Sequence, residues 1–188
     1  MPQDKLDEKL LFERKYNNFG FKYCPICGSD FVRRELDHKT RLQCSNENCG
    51  YIYYHNPTPA AGAMIVDDGK ILLVKRAAPP KIGYWCLPAG FMEFDEHPTQ
   101  TTVREIKEET GLDIEIEQIF EIYSGNDDPR TNAVLILYKA RIKGGKLIAG
   151  DDASDARFFS FTELPDNIAF ISHRQALKDY AVRFPQSE

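Results

Sequence analysis

Residues 90–112 constrain this chain more than any other segment, because their charges follow the period of a helix. A helix that begins near Pro98 and ends at Gly111 places three glutamates within about one third of its circumference. They are Glu105, Glu108 and Glu109. A run of helical glutamates is usually a solvated face. Here, however, like charges three and four residues apart repel, so a compensating cation is expected, and Mg²⁺ or Mn²⁺ takes oxygen ligands.

Arg104 is the residue of this segment least suited to contact a metal. It immediately precedes Glu105 and lies four residues before Glu108. We therefore expect it to orient a carboxylate through a charge-assisted hydrogen bond, while Lys107 faces solvent.

The spacing of the segment also carries a family resemblance. Its glutamates are combined at fixed intervals with Gly90, Glu96, Arg104 and the closing pair Gly111-Leu112. In this pattern it resembles the Nudix box, the signature of hydrolases that cleave a nucleoside diphosphate linked to another moiety. The resemblance implies a pyrophosphatase that depends on Mg²⁺ or Mn²⁺.

The residues around the box complete the expected site. By resemblance to the family, the carbonyl of Ala89 or Gly90 is a further metal ligand, and Ala89 stands where the family most often has glycine. Glu96 is expected to support the loop or an outer metal. The general base is either a box glutamate, Glu105, or an acidic residue on a loop before the last strand. The acidic residues of that loop are Asp151, Asp152 and Asp155, which can also be read as a polar turn after Gly150.

Four of the five cysteines form two pairs, Cys24 with Cys27 and Cys44 with Cys49. Such pairs in a cytosolic protein favour one tetrahedral Zn²⁺ over disulfides. Cys86 stands apart and is expected to be a small buried residue.

Turn signals divide the chain into a charged arm (1–20) with a short amphipathic helix, a zinc ribbon (21–55) and a Nudix hydrolase domain (56–188).

Within the hydrolase domain, residues 60–66 and 71–75 are predicted strands that flank the hairpin signal Asp67-Asp68-Gly69-Lys70. Further strands are predicted at 114–123, 132–142 and 155–161, and a closing helix at 172–182. Strands interrupted by one long helix and ended by another predict an α/β/α sandwich with a mixed sheet.

Composition excludes some classes of protein. With 188 residues, the chain can bury one core and a small accessory module. Its longest apolar runs are strand-sized, and its N-terminus lacks the apolar core of a signal peptide, so we expect a cytoplasmic protein without a membrane partner. The net charge is −5, and residues 21–50 hold five basic against four acidic residues, a net of +1. These charges predict no nucleic-acid partner.

The substrate is the least determined feature. Predicted contacts are a phosphate grip by Arg130 and ring stacking by Tyr54, Tyr123 or Phe170, although aromatic residues in strands more often belong to the core. A ribbon before a Nudix domain is similar to NADH pyrophosphatases, but residues 122–128 lack their downstream Ser-Gln-Pro-Trp-type motif.

Over residues 21–180 the chain more closely resembles the group that includes plant FAD pyrophosphatase. Pro129 also lies near the position of a proline that is associated with ADP-ribose hydrolases. The resemblance implies hydrolysis of FAD or ADP-ribose to AMP and a phosphorylated product, commonly by a homodimer. Hydrolysis of NADH and a non-catalytic ligand sensor are the alternatives.

Overall fold

The computed structural model describes residues 21–185, which separate into two compact units. One contains the described residues up to Pro57 together with Pro129–Thr131, and the other contains Thr58–Asp128 and the residues from Asn132 onward. The boundary at Pro57 falls in the stretch Asn56-Pro57-Thr58-Pro59, where each proline restrains its own backbone and that of the preceding residue. The predicted arm at residues 1–20 lies outside the described residues.

The first unit is a small ribbon built on a three-stranded antiparallel sheet. Its strands are β1 (Phe31–Leu36), β2 (Lys39–Cys44) and β3 (Ile52–Tyr53). Asp37 and His38 have positive φ angles and make the tight turn between β1 and β2. β2 is not predicted from the sequence, because only Leu42 and Cys44 of that strand are buried and its remaining residues are polar.

The second unit is a mixed sheet. Its strands are β4 (Thr58–Asp67), β5 (Lys70–Arg76), β6 (Trp85–Cys86), β7 (Ala89–Phe91), β8 (Leu112–Gly125), β9 (Ala133–Gly145) and β10 (Ala153–Ser160). The main order is β10-β5-β4-β9-β8, with β6 paired to β5 and β7 paired to β4. Only β4 and β9 run parallel; all the other pairs are antiparallel.

Two helices, α1 (Pro98–Thr110) and α2 (Ile171–Arg183), cover opposite faces of this sheet. Successive residues of β4 point to opposite faces. Met64 packs in the core that contains Leu177 of α2, whereas Ile65 packs in the core that contains Ile106 of α1. The predicted α/β/α sandwich with a mixed sheet is therefore confirmed. Neither helix is long and apolar enough to cross a membrane.

The predicted strands and helices of this unit are present, and several extend beyond their predicted ends. Asp68 and Gly69 form the hairpin turn with φ angles of 45° and 71°. β8 and β9 are longer than predicted, and their antiparallel ladder contains register irregularities at three points. The closing helix spans Ile171–Arg183, one residue longer at each end than predicted.

Candidate active site and cysteine cluster

Helix α1 is fixed at both ends by its own residues. His97 caps its N-terminus by accepting a hydrogen bond from the Thr99 N–H, and Gln100 Oε1 accepts one from the His97 N–H at 2.7 Å. Gly111 ends the helix at φ 72°, where its N–H bonds the Lys107 carbonyl at 2.9 Å. These caps set where the helix begins and ends. The residues buried on α1 then set its rotation: Thr101, Thr102, Ile106, Glu109 and Thr110.

The rotation brings Glu105 against β7. A Cβ built on Gly90 would lie 2.1 Å from the carboxyl carbon of Glu105. The absence of a side chain at Gly90 therefore provides the space that the Glu105 carboxylate occupies. Burial raises the pKa of Glu105 in spite of the opposing effect of Arg104.

Glu109 is the most buried carboxylate of the box, with only 4% of its surface exposed. Its Oε2 accepts a hydrogen bond from the Ala89 N–H at 3.0 Å. Burial raises the pKa of Glu109 well above its usual value, and the charges of Asp152 and Glu105 raise it further. A carboxylate held in such surroundings favours a nearby cation.

Arg104 connects the other glutamates. Its Nε and Nη2 bind the two oxygens of Glu96 at 2.6 and 2.8 Å. Its Nη1 donates to Glu105 at 2.7 Å and to Glu108 at 3.0 Å, and Nη2 also donates to the Phe91 carbonyl at 3.2 Å. The guanidinium thus uses each of its five N–H donors and holds the loop, β7 and α1 in one network.

Glu96 is the anchor of that network on the loop side. Besides Arg104, it accepts hydrogen bonds from the Thr101 hydroxyl at 2.7 Å and from the Glu93 N–H at 3.1 Å. Hydrogen bonds from Arg104 and Thr101 lower the pKa of Glu96 to about 2. Glu96 is therefore ionised at neutral pH, so both of its oxygens can accept hydrogen bonds from Arg104.

Within residues 21–185, the three helical glutamates gather less tightly than the four cysteines do. Arg104 holds both Glu105 and Glu108, the Ala89 N–H holds Glu109, and Glu108 keeps 44% of its side chain exposed. The donor set still suits a hard divalent cation, because oxygen ligands of net negative charge lie beside a buried Glu109. Lys107 faces solvent as predicted and pairs with Asp113 at 2.8 Å.

The structure separates the three acidic residues predicted for the loop before the last strand, because Asp151 and Asp152 precede β10 and Asp155 lies within it. The charge of Asp152 raises the pKa values of both Glu105 and Glu109, and the N–H of Gly150, two residues before Asp152, donates to the Glu109 carbonyl at 3.2 Å. Asp155 instead pairs with Arg157 at 2.6 Å, and Asp151 is an exposed turn residue with φ 52°.

Helix α2 carries a buried histidine that was not among the residues predicted from the sequence. His173 Nδ1 accepts a hydrogen bond at 3.0 Å from the N–H of Leu87, in the turn that leads into β7. Burial lowers the pKa of His173 to about 3, so the ring is neutral. The helical period could have predicted its burial, because His173 lies on the same face of the helix as Leu177 and Tyr180.

The predicted substrate contacts lie in different surroundings. Tyr123 is buried in the core and donates to Asp179 at 2.8 Å, so its ring packs in the interior. Phe170 is half-buried, with the cations of Arg76 and Lys81 at 5.3 and 5.1 Å from its ring centroid. Tyr54 and Arg130 belong to the unit that contains the ribbon, and both are exposed.

The cysteine pairs of the ribbon meet at one point. The Sγ atoms of Cys24, Cys27, Cys44 and Cys49 all lie within 4.8 Å of one another, and two of the separations are 3.8 and 3.4 Å. Zn–S bonds of about 2.3 Å give a tetrahedron with edges of about 3.8 Å, so the four thiols fit Zn²⁺. All five cysteines are free, and burial raises the pKa of Cys86 to about 12.

Comparison with known proteins gives consistent matches. The NUDIX domain family matches residues 56–180. The ADP-ribose pyrophosphatase of Methanocaldococcus jannaschii is 43% identical over 131 residues, which cover 69% of this chain and 76% of that protein. The NAD-capped RNA hydrolase NudC of Vibrio atlanticus is 31% identical over 78% of this chain, which spans 52% of that protein's length. A NUDIX hydrolase structure from Nitrosomonas europaea has a TM-score of 0.76 and 32% identity, covering 87% of this chain and 92% of its own.

Proposed function

This chain belongs to the NUDIX family, and we propose that it is a Mg²⁺- or Mn²⁺-dependent pyrophosphatase that acts on ADP-ribose. Water adds to one phosphorus of the diphosphate, the bond to the bridging oxygen breaks, and the products are AMP and ribose 5-phosphate. The observation that carries this proposal is the position of the Glu105 carboxylate, which lies over Gly90 and near the buried Glu109.

The metal would be held by Glu105, Glu108 and Glu109, with the carbonyl of Ala89 or Gly90. When bound, a divalent cation neutralises phosphate charge and makes water more acidic. The contribution of Arg104 is positional: its bidentate bond to Glu96 leaves Nη1 to orient Glu105 and Glu108.

Two residues compete for the role of general base, Glu105 and Asp152. Asp152 replaces the wider set of Asp151, Asp152 and Asp155, because its charge acts on Glu105 and Glu109. Asp152→Asn should lower kcat by about a hundredfold if Asp152 takes the proton. Asp151→Asn is the matched control, and an Asp152 variant that retains full kcat would leave the role to Glu105.

ADP-ribose stands first among substrates because the M. jannaschii relative, 43% identical, is an ADP-ribose pyrophosphatase. FAD is the second candidate and rests on the resemblance of the ribbon and residues 151–170 to the FAD pyrophosphatase group. NADH is third, because residues 122–128 lack the expected motif. A ligand sensor without catalysis is disfavoured by the retention of all three helical glutamates.

Hydrolysis of ADP-ribose, FAD, NADH, diadenosine polyphosphates and nucleoside triphosphates, each with Mg²⁺, tests the proposal. We expect the highest kcat/KM with ADP-ribose and a loss of at least a hundredfold in Glu108→Gln. Glu117→Gln, the same change at an exposed position of β8, should retain activity. Hydrolysis of none of these compounds, or activity that survives Glu108→Gln, would contradict the assignment.

We also propose that Cys24, Cys27, Cys44 and Cys49 hold one structural Zn²⁺. Their mutual distances support it, and a site closed by four thiolates leaves no open position for a reacting water. The zinc is therefore assigned to folding of the ribbon.

A further inference from the structure

The ribbon sheet sorts its charges onto two faces. Residues paired across antiparallel strands share a face, and neighbours along a strand alternate. Arg34 of β1 lies directly opposite Arg41 of β2, and Lys39 lies two residues from Arg41 on the same face. Like charges directly opposite each other destabilise a sheet, so folding alone does not account for this pair.

Within β1 and β2, this face carries no carboxylate to neutralise it. Glu35 points to the other face, where it accepts a hydrogen bond from Thr40, and Asp37 lies in the turn. In the described part of the chain, no ion pair involves Arg34, Lys39 or Arg41, whereas exposed arginines of the other unit, such as Arg157 and Arg183, do pair with carboxylates.

Arg41 has an unmet hydrogen-bond donor. Its Nε is buried without a partner, the one such side-chain atom among residues 21–185. Its guanidinium lies 4.5 Å from the ring centroid of Tyr54, which is 48% exposed. A guanidinium stacked on an aromatic ring keeps its planar donors directed outward, and the exposed side of the ring remains available for stacking.

We propose that this surface, formed by Arg34, Lys39, Arg41 and Tyr54, binds single-stranded nucleic acid. The cations contact the phosphates, and a base stacks on Tyr54. An acidic peptide would use the cations but not the ring, and a duplex would offer no free base. The net charge of +1 over residues 21–50 hides this surface because it averages the two faces.

Fluorescence anisotropy with a labelled single-stranded RNA of about 12 nucleotides tests the proposal, using the full chain with its zinc. The RNA carries a 5′-hydroxyl and therefore contains no diphosphate. Its binding is independent of the proposed hydrolysis, so the two proposals can fail separately. With three cations on phosphates, a plot of log K against log salt concentration should have a slope of about −2.

The variants separate the surface from overall charge. Arg34→Gln and Arg41→Gln should each reduce the magnitude of the salt slope by about 0.7. Lys70→Gln removes one positive charge from the other unit and should leave the slope unchanged. Tyr54→Ala should weaken binding by about tenfold, and Tyr54→Phe should restore it, because only the ring is needed.

Four results would overturn the proposal. They are undetectable binding, equal binding of duplex RNA, equal competition by polyglutamate, and an effect of Lys70→Gln as large as that of Arg41→Gln. Zinc content and circular dichroism of each variant exclude unfolding as the cause of a loss.

Discussion

At the scale of single residues, Gly62 and Gly90 both lack a side chain for steric reasons, but the neighbouring groups that require this space differ. A Cβ on Gly62 of β4 would lie 2.3 Å from the Cβ of Ala89 and 2.4 Å from the Pro88 carbonyl oxygen, so it would collide with the neighbouring strand. A Cβ on Gly90 would instead collide with the carboxylate of Glu105. A side chain at position 62 could be accommodated only if the backbone at Pro88 and Ala89 moved, whereas one at position 90 requires only that the Glu105 side chain rotate away.

We therefore predict that Gly90→Ala folds normally and loses activity. Displacement of Glu105 should lower kcat/KM by about a hundredfold, with little change in the free energy of unfolding. Gly62→Ala is the contrasting variant and should lower the free energy of unfolding by about 1–3 kcal/mol. Urea unfolding and kinetics on the same samples separate the two effects. Equal destabilisation by both substitutions would contradict this account.

The Glu96 carboxylate makes a prediction about pH. Because Arg104 and Thr101 lower its folded pKa to about 2, its ionised form stabilises the fold above the ordinary glutamate pKa of about 4.5. That contribution is lost as pH falls from there toward 2. The difference in unfolding free energy between the native chain and Glu96→Gln should thus be largest near pH 7 and shrink in acid. Chemical unfolding at several pH values measures it, and a constant difference would refute it.

At the scale of elements, α2 supports the turn before β7 from the face of the sheet opposite α1. His173 accepts the Leu87 N–H, and Asp127 accepts the Ile171 N–H at the start of the helix at 3.1 Å. Lys81 pairs with the same aspartate at 2.9 Å. The start of α2 is therefore fixed by residues distant in sequence, since Phe170 makes no side-chain cap.

We predict that His173→Leu destabilises the protein by about 1–3 kcal/mol at pH 7, because it leaves the buried Leu87 N–H without an acceptor. The folded pKa of His173, about 3, is below its ordinary value of about 6.5. Its neutral form therefore stabilises the fold above pH 6.5, and this contribution is lost as pH falls. The deficit of the variant should narrow between pH 7 and pH 5 in thermal unfolding. A deficit that widens in acid would oppose this interpretation.

At the scale of the whole molecule, the ribbon and the mixed-sheet unit are stabilised in different ways. The mixed-sheet unit has large apolar cores on both faces of its sheet. The ribbon has few buried apolar residues, and among them are Cys24, Leu42 and Cys44. A domain so small usually depends on a metal or on disulfides for stability.

Metal removal should consequently affect the ribbon first. We predict about one equivalent of zinc in protein purified without added metal, and its loss in Cys24→Ser. Hydrogen exchange should then show lost protection in residues 21–57 and retained protection in the mixed-sheet unit. Cys86→Ser, a change of the same kind at a buried cysteine outside the cluster, should keep its zinc. Zinc that persists in Cys24→Ser would contradict the assignment.

The expected assembly into a homodimer and the expected cytoplasmic location of the protein both stay predictions.

Features with local causes were predictable from particular residues. Pro98 and Gly111 marked the ends of α1, and Asp68-Gly69 marked the hairpin, because caps and turns depend on a few adjacent residues. β2 escaped because its polar composition gives little strand signal. Which aromatic residues are buried could not be settled from the sequence, because burial depends on the sheet that a strand joins. Tyr123 packs in the core, whereas Phe170 is half-buried at the start of α2.

The sequence by itself determined the NUDIX family, the sandwich fold and the charge pattern of α1, because helix period and fixed spacing are properties of neighbouring residues. Only the tertiary structure decided that Glu105 lies over Gly90, that the charge of Asp152 acts on Glu105 and Glu109, and that the ribbon's cations share one face. Each of these depends on which strands pair and in what register. The packing of the whole sheet sets the register, so the sequence of one segment does not predict which distant residues come into contact.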